Sequence, residues 1–203
     1  MAISYPLSLP TNIGMASIEL RAKNVVAVSQ SPFTLKQSVH SYDGQQWEAD
    51  ITLPPMNRDD AEYWITFLMS LKGRSGSFLL YDPAAREPRG NIDPDVDTVT
   101  ISGAVGESTV DCTAPNGKTI KAGDYIQLGT ASDATLHKVL VDYTGTGSAT
   151  DLEIWPKLRK VRSSVTATLS DPSGVFRLSD NITSWSVNDA SFYGISFGAM
   201  EVI

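Results

Sequence analysis

Apolar positions recur at every second residue through much of this chain, the period of a strand with one face in a core and the other in water. Trp47, Ala49, Ile51 and Leu53 alternate with Gln46, Glu48, Asp50 and Thr52, and Ile18, Leu20 and Ala22 alternate with Glu19, Arg21 and Lys23. Near the C-terminus Tyr193, Ile195, Phe197 and Ala199 share one face, opposite Phe192, Gly194, Ser196 and Gly198. That second face is small, which weakens a strand but lets another backbone come close. Between the first two runs lies Ser38-Val39-His40-Ser41-Tyr42-Asp43-Gly44, where Asp-Gly predicts a hairpin turn and places His40 in a polar loop.

One stretch breaks the period of two. Pro54-Pro55-Met56 ends a strand, Asn57 suits an N-cap, and Asp59, Asp60 and Glu62 favour the positive end of a helix dipole. Ala61, Trp64, Ile65, Leu68 and Leu71 then follow at helical spacing, and Gly73 can take the left-handed conformation that ends a helix, so a helix is predicted over about 58–72. Residues 73–90 are loop-like around a short strand, Phe78 to Tyr81. From Asn91 onward the texture is short strands between turn signals: Val99–Ile101, Thr109–Cys112, Tyr125–Leu128, Leu136 to Tyr143, Leu152–Trp155 and Val165–Leu169. That rhythm fits a small barrel or sandwich. The expected fold is therefore mainly β: a β-sandwich with one packed α-helix, built from 1–87 and 168–203, interrupted by an inserted small β-barrel or OB-like module at 88–167.

Composition narrows the functional classes. Hydrophobic residues make up 41% and charged residues 19%, which suits an ordered globular chain. The longest apolar runs, such as Val25-Val26-Ala27-Val28, are far too short to cross a membrane, and no membrane insertion is expected. The opening Met1-Ala2-Ile3-Ser4-Tyr5-Pro6 has no basic n-region, so no secretory leader is expected, and the lone Cys112 fits a reducing cytoplasm. A net charge of −7 argues against a phosphate-binding surface.

Candidate chemistry is sparse. The two histidines, His40 and His137, lack a sequence-evident partner, and His137 alternates with Val139, Val141 and Tyr143 on a half-buried strand face. Cys112 reads as a small core residue, since nothing local supplies the positive charge a reactive thiol needs. Gly117-Lys118-Thr119 imitates the end of a phosphate loop, but position 112 holds Cys112 where the first glycine belongs. Asp93-Pro94-Asp95-Val96-Asp97 lacks the glycine and closing glutamate of a calcium loop and reads as a solvated linker. Lys157, Arg159, Lys160 and Arg162, beside Trp155, read as a charged, exposed sheet edge guarded against aggregation. A hydrolytic acid pair would need Asp142 with Asp151 or Glu153, carboxylates more simply read as solvated. No catalytic residue, metal or cofactor is expected.

Several segments carry a resemblance instead. Tyr5-Pro6-Leu7-Ser8-Leu9-Pro10, Ser31-Pro32-Phe33-Thr34, Gly44-Gln45-Gln46-Trp47-Glu48-Ala49 and Leu53-Pro54-Pro55-Met56 precede Leu71-Lys72-Gly73-Arg74-Ser75-Gly76-Ser77-Phe78. Further on stand Gly123 to Gly129, Ile154-Trp155-Pro156-Lys157-Leu158-Arg159 and Gly194 to Glu201. Together they resemble the distal tail proteins of long-tailed (siphovirus) bacteriophages, across nearly the whole chain. The resemblance implies a hexameric ring in the tail tip of the virion, assembled in the host cytoplasm. Such a ring joins the tail tube to the hub and fibre proteins, and the genome passes its lumen without specific binding. Sheet edges and the apolar strip Tyr5, Leu7 and Leu9 are candidate contacts, with Tyr143 and Trp155 added to them. The alternative is a carbohydrate-binding module displaying Tyr125, Tyr143 and Trp155 to the host surface.

Overall fold

The computed structural model describes residues 3–203. The strands are β1 (Ser17–Gln30), β2 (Gln37–Thr52), β3 (Phe78–Leu80), β4 (Thr100–Gly103), β5 (Thr109–Thr113), β6 (Thr119–Ile120) and β7 (Tyr125–Leu128). After a 3-10 turn at Ala131–Asp133 come β8 (Thr135–Val139), β9 (Tyr143–Thr144), β10 (Thr150–Trp155), β11 (Arg162–Thr168), β12 (Gly174–Leu178), β13 (Trp185–Val187) and β14 (Tyr193–Glu201). One helix, α1 (Arg58–Ser70), follows β2. The fold is mainly β.

An antiparallel sheet runs β1-β2-β14-β12-β3, with β13 pairing the first residues of β14. Strand alternation decides its two faces. Trp47, Ala49 and Ile51 on β2 and Ile195 and Ala199 on β14 are buried, while Glu19, Arg21, Lys23, Glu48 and Asp50 occupy the wet side and pair there (Lys23 Nζ to Glu48 Oε1, 2.8 Å). Helix α1 lies across one end of the dry side. Asn57 caps it, accepting the Asp60 N–H at 3.0 Å, and Trp64 and Phe67 meet Phe197 and Phe78 at ring separations of 6.1 and 5.6 Å. Burying such aromatics contributes roughly 2–3 kcal/mol each.

The strands β10-β5-β4-β11-β7-β8 close into a six-stranded barrel, with β6 and β9 forming a separate pair at its side. Its interior is an apolar cluster including Val99, Ile101, Cys112, Ile126, Leu128, Val139, Leu152 and Ile154. The barrel covers the dry side around Trp47. Trp47 donates its indole N–H to the Leu136 carbonyl at 3.0 Å and packs edge-on against Trp155 at 4.5 Å. Among the described residues no helix is long and apolar enough to cross a membrane.

Four local expectations are corrected. Asp43-Gly44 is not the hairpin turn: both residues lie inside β2, so His40 sits in a strand, and the turn is Ser31 to Lys36. The pairing steps from Asn24↔Gln45 to Val26↔Ser41, so Tyr42, Asp43 and Gly44 face Val25 alone in a bulge. A Cβ on Gly44 would stand 2.8 Å from Val25 Cγ2, and the dipeptide serves close approach there. The run Leu136 to Tyr143 is broken between β8 and β9, where Leu140 and Val141 are exposed and the Leu140 N–H turns to the Glu153 carbonyl. β12 and β13 were not expected. The basic cluster is no exposed edge, because Arg162 is buried and Arg159 nearly so.

Candidate assembly interface

The chemistry-bearing residues are absorbed into the structure. His137 is fully buried, its Nδ1–H donating to the Pro156 carbonyl at 2.7 Å and its Nε2 accepting the Thr135 hydroxyl at 2.9 Å. Burial pushes its pKa down to about 4, so the ring is neutral at pH 7. Cys112 lies inside the barrel, where desolvation raises its thiol to about 11. Lys118 pairs with Asp97 at 2.8 Å, and Thr119 sits in a strand bonded to Asn91, so no phosphate cradle forms. Asp93 to Asp97 make a turn capped on itself, the Asp93 N–H donating to Asp97 Oδ2 at 2.8 Å. Asp142 accepts from Lys121 Nζ (2.9 Å) and the Ala122 N–H (2.8 Å), which hold its carboxyl below the usual range, while Glu153 meets Thr109. A general acid needs the opposite shift.

The basic cluster is likewise spent internally. Lys157 pairs with Asp43 at 2.9 Å, Arg159 with Glu201 at 2.6 Å, and both Lys160 and Arg162 with Asp133 at 2.5 Å.

The expected contact residues turn inward too. Leu9 is buried, and Tyr5 and Leu7 pack on the sheet's core, with the Tyr5 hydroxyl donating to the Ser70 carbonyl at 2.6 Å. Leu7 bridges Phe78 in parallel and so covers the β3 edge. Tyr143 is buried with its hydroxyl on the Cys112 carbonyl at 2.6 Å, and burial lifts its pKa to about 12. Half-buried Trp155 donates to Asn24 Oδ1 at 2.8 Å. Since Tyr125 is also buried, these three aromatics form no exposed platform for a sugar.

Among the described residues one extended surface is unpartnered, and sequence reasoning missed it. Beyond Asn24 and Gln45 the β1–β2 hairpin leaves the body as a two-stranded arm that extends about 20 Å at strand rise. Every residue from Arg21 to Gln30 is exposed, and so is every one from Pro32 to Gly44. Pairing Val26↔Ser41 and Val28↔Val39 places Val26, Val28 and Val39 on the side that carries Ile18, Leu20 and Ala22 in the body. The apolar face of the sheet therefore continues past the chain's own core with none of the described residues over it. At the tip Phe33 is 94% exposed, and Leu35 holds a left-handed φ of 57°. Lys36 is the arm's only full charge between Asn24 and Tyr42. The available signal was the charge-free apolar run Val25-Val26-Ala27-Val28 following the Ile18, Leu20 and Ala22 alternation, masked by the Asp-Gly dipeptide.

No protein-family model matches the chain, and no curated protein matches its sequence.

Proposed function

We propose that the chain is a virion structural protein, a distal tail protein of a siphovirus, that forms a ring between the tail tube and the hub and fibre proteins. Its role is assembly geometry, without catalysis. The single observation behind this reading is the arm: an isolated two-stranded ribbon is marginal in water, and an uncharged edge beside a valine stripe invites pairing with another chain. A monomer would keep that surface wet, whereas a ring of identical subunits covers it in every copy. In this reading the helix-backed sheet is the ring-forming unit, of β-sandwich type, and the barrel is its OB-like outward insertion. A net-acidic subunit around a lumen repels DNA phosphate and lets the genome slide.

Native mass spectrometry and negative-stain electron microscopy of the purified chain test the proposal. The expected particle is a closed ring, six-membered by the resemblance. Excising residues 26–40 and closing the ribbon with Asn-Gly leaves the body folded and abolishes the ring. A chain that stays monomeric at every concentration overturns the reading.

A further inference from the structure

The arm joins the body at a break in its own ladder. Pairing runs from Ser17↔Thr52 to Asn24↔Gln45, stops, and resumes at Val26↔Ser41. Three residues of β2 stand there against Val25 alone, and a bulge of this kind interrupts the ladder and bends the strand. Past the bulge nothing polar fixes the arm's direction. Among the described residues, no hydrogen bond or ion pair links residues 26–42 to the body.

The break is spanned instead from the barrel, by five consecutive residues, Trp155 to Arg159. The Trp155 indole N–H donates to Asn24 Oδ1 at 2.8 Å, and the Gln45 side chain donates to the same oxygen at 3.0 Å. The Lys157 N–H donates to Gln45 Oε1 at 2.8 Å, and Arg159 donates to the Gln45 carbonyl at 2.9 Å. These bonds hold the body side of the break. Among the described residues Lys157 alone reaches the other side, where its ammonium pairs with Asp43 Oδ1, inside the bulge, at 2.9 Å. The spanning segment is itself fixed. Trp155 packs edge-on to Trp47, the Pro156 carbonyl accepts from His137, Leu158 lies in the barrel core and Arg159 pairs with Glu201.

We propose that the bulge is a hinge, and that the barrel, through Lys157, is the strap that holds the arm at one angle. Asn24 and Gln45 are the pivot, and the Lys157–Asp43 pair selects one bend among those the bulge permits. That pair is open to water on the Asp43 side, so it favours the held angle by only about two- to fivefold and weakens as salt rises. The barrel therefore aims the arm before it meets any partner, and contact can still re-aim it. The inference concerns one chain alone and is independent of the ring reading.

Spin labels on Ser38→Cys, near the arm's tip, and Thr66→Cys, on the wet side of α1, report the angle as one distance in the full chain. Both sites are exposed, and the native Cys112 is buried. Double electron–electron resonance is recorded on the monomer, at a dilution set by native mass spectrometry, and one dominant distance is expected. Lys157→Met keeps the backbone bond to Gln45 and removes the ammonium. It should lower the ratio of that distance to all others by about two- to fivefold. Asp43→Asn should act in the same direction, and Lys157→Arg should restore the distance. Lys23→Met deletes the exposed pair with Glu48 on the body side of the break and should change nothing. A distance that survives both Lys157→Met and Asp43→Asn overturns the inference, because the ribbon then sets its own angle. A wild-type distribution already as broad as that of Lys157→Met overturns it as well.

Discussion

His137 is neutral because it is fully buried with one acceptor and one donor: the Pro156 carbonyl accepts its Nδ1–H and the Thr135 hydroxyl donates to Nε2. With the folded pKa down at about 4 and an ordinary value of 6.5, the unfolded chain binds the proton first as pH falls. The stabilisation from this residue is therefore complete above pH 6.5 and is lost on going down to pH 4, by about 3 kcal/mol over the window. Glu201 titrates in the opposite sense, its carboxyl raised by burial, but it does so in any variant that keeps it. Urea melts of the wild type and of His137→Gln across pH 7 to 4 should show the gap between them shrinking by about 3 kcal/mol. A constant gap would mean that His137 is already charged or already wet. The sequence placed His137 on a half-buried face; its burial was illegible, because Thr135 shares its strand face but Pro156 reaches it only after the barrel closes.

At the scale of elements, legibility followed locality. Helix α1 was readable because its determinants lie within its own turns: the Asn57 cap, the apolar stripe from Ala61 to Leu71, and Gly73 with a φ of 64° beyond the end. Asn57→Ala should cost about 1 kcal/mol in thermal or chemical denaturation, and Asn57→Asp should restore nearly all of it, since either side chain can accept the Asp60 N–H. A loss well below half that size would show that packing of Trp64 and Phe67 holds the first turn without the cap. β12 was missed for the opposite reason. Strands pair with both of its edges, and Val175, Phe176 and Leu178 are all buried, so no alternation marks it. The arm was misread because Asp-Gly suits a turn and a bulge equally, and only the packing of Val25 against Gly44 distinguishes them. The five expected contacts, Tyr5, Leu7, Leu9, Tyr143 and Trp155, are apolar or aromatic residues whose burial depends on partners distant in sequence.

At the scale of the whole molecule, the sheet and the barrel are joined at the end of β14. Glu201 is 1% exposed in its side chain, accepts the Trp47 N–H at 3.1 Å and pairs with Arg159, itself 14% exposed, at 2.6 Å. Arg159 in turn donates to the Gln45 carbonyl at 2.9 Å, at the root of the arm. One guanidinium from the barrel thus ties the last core strand to the base of the surface that reaches outward. A buried pair of this kind is costly to break from one side, because the remaining charge stays in an apolar setting. Arg159→Met should destabilise the chain by roughly 3 kcal/mol, leaving the Glu201 carboxyl with the Trp47 N–H alone. Glu201→Gln should cost less, since Arg159 retains Gln45 and some solvent. The double variant should then lose less than the sum of the two single losses, by at least about 1 kcal/mol. Strict additivity in guanidinium melts would mean the two groups do not act as a unit. Because Trp47, Leu136 and Tyr125 belong to one continuous core across the junction, a single transition is expected even in Arg159→Met. Two separated transitions would instead show that this ion pair, rather than the aromatic cluster around Trp47, makes sheet and barrel one cooperative body.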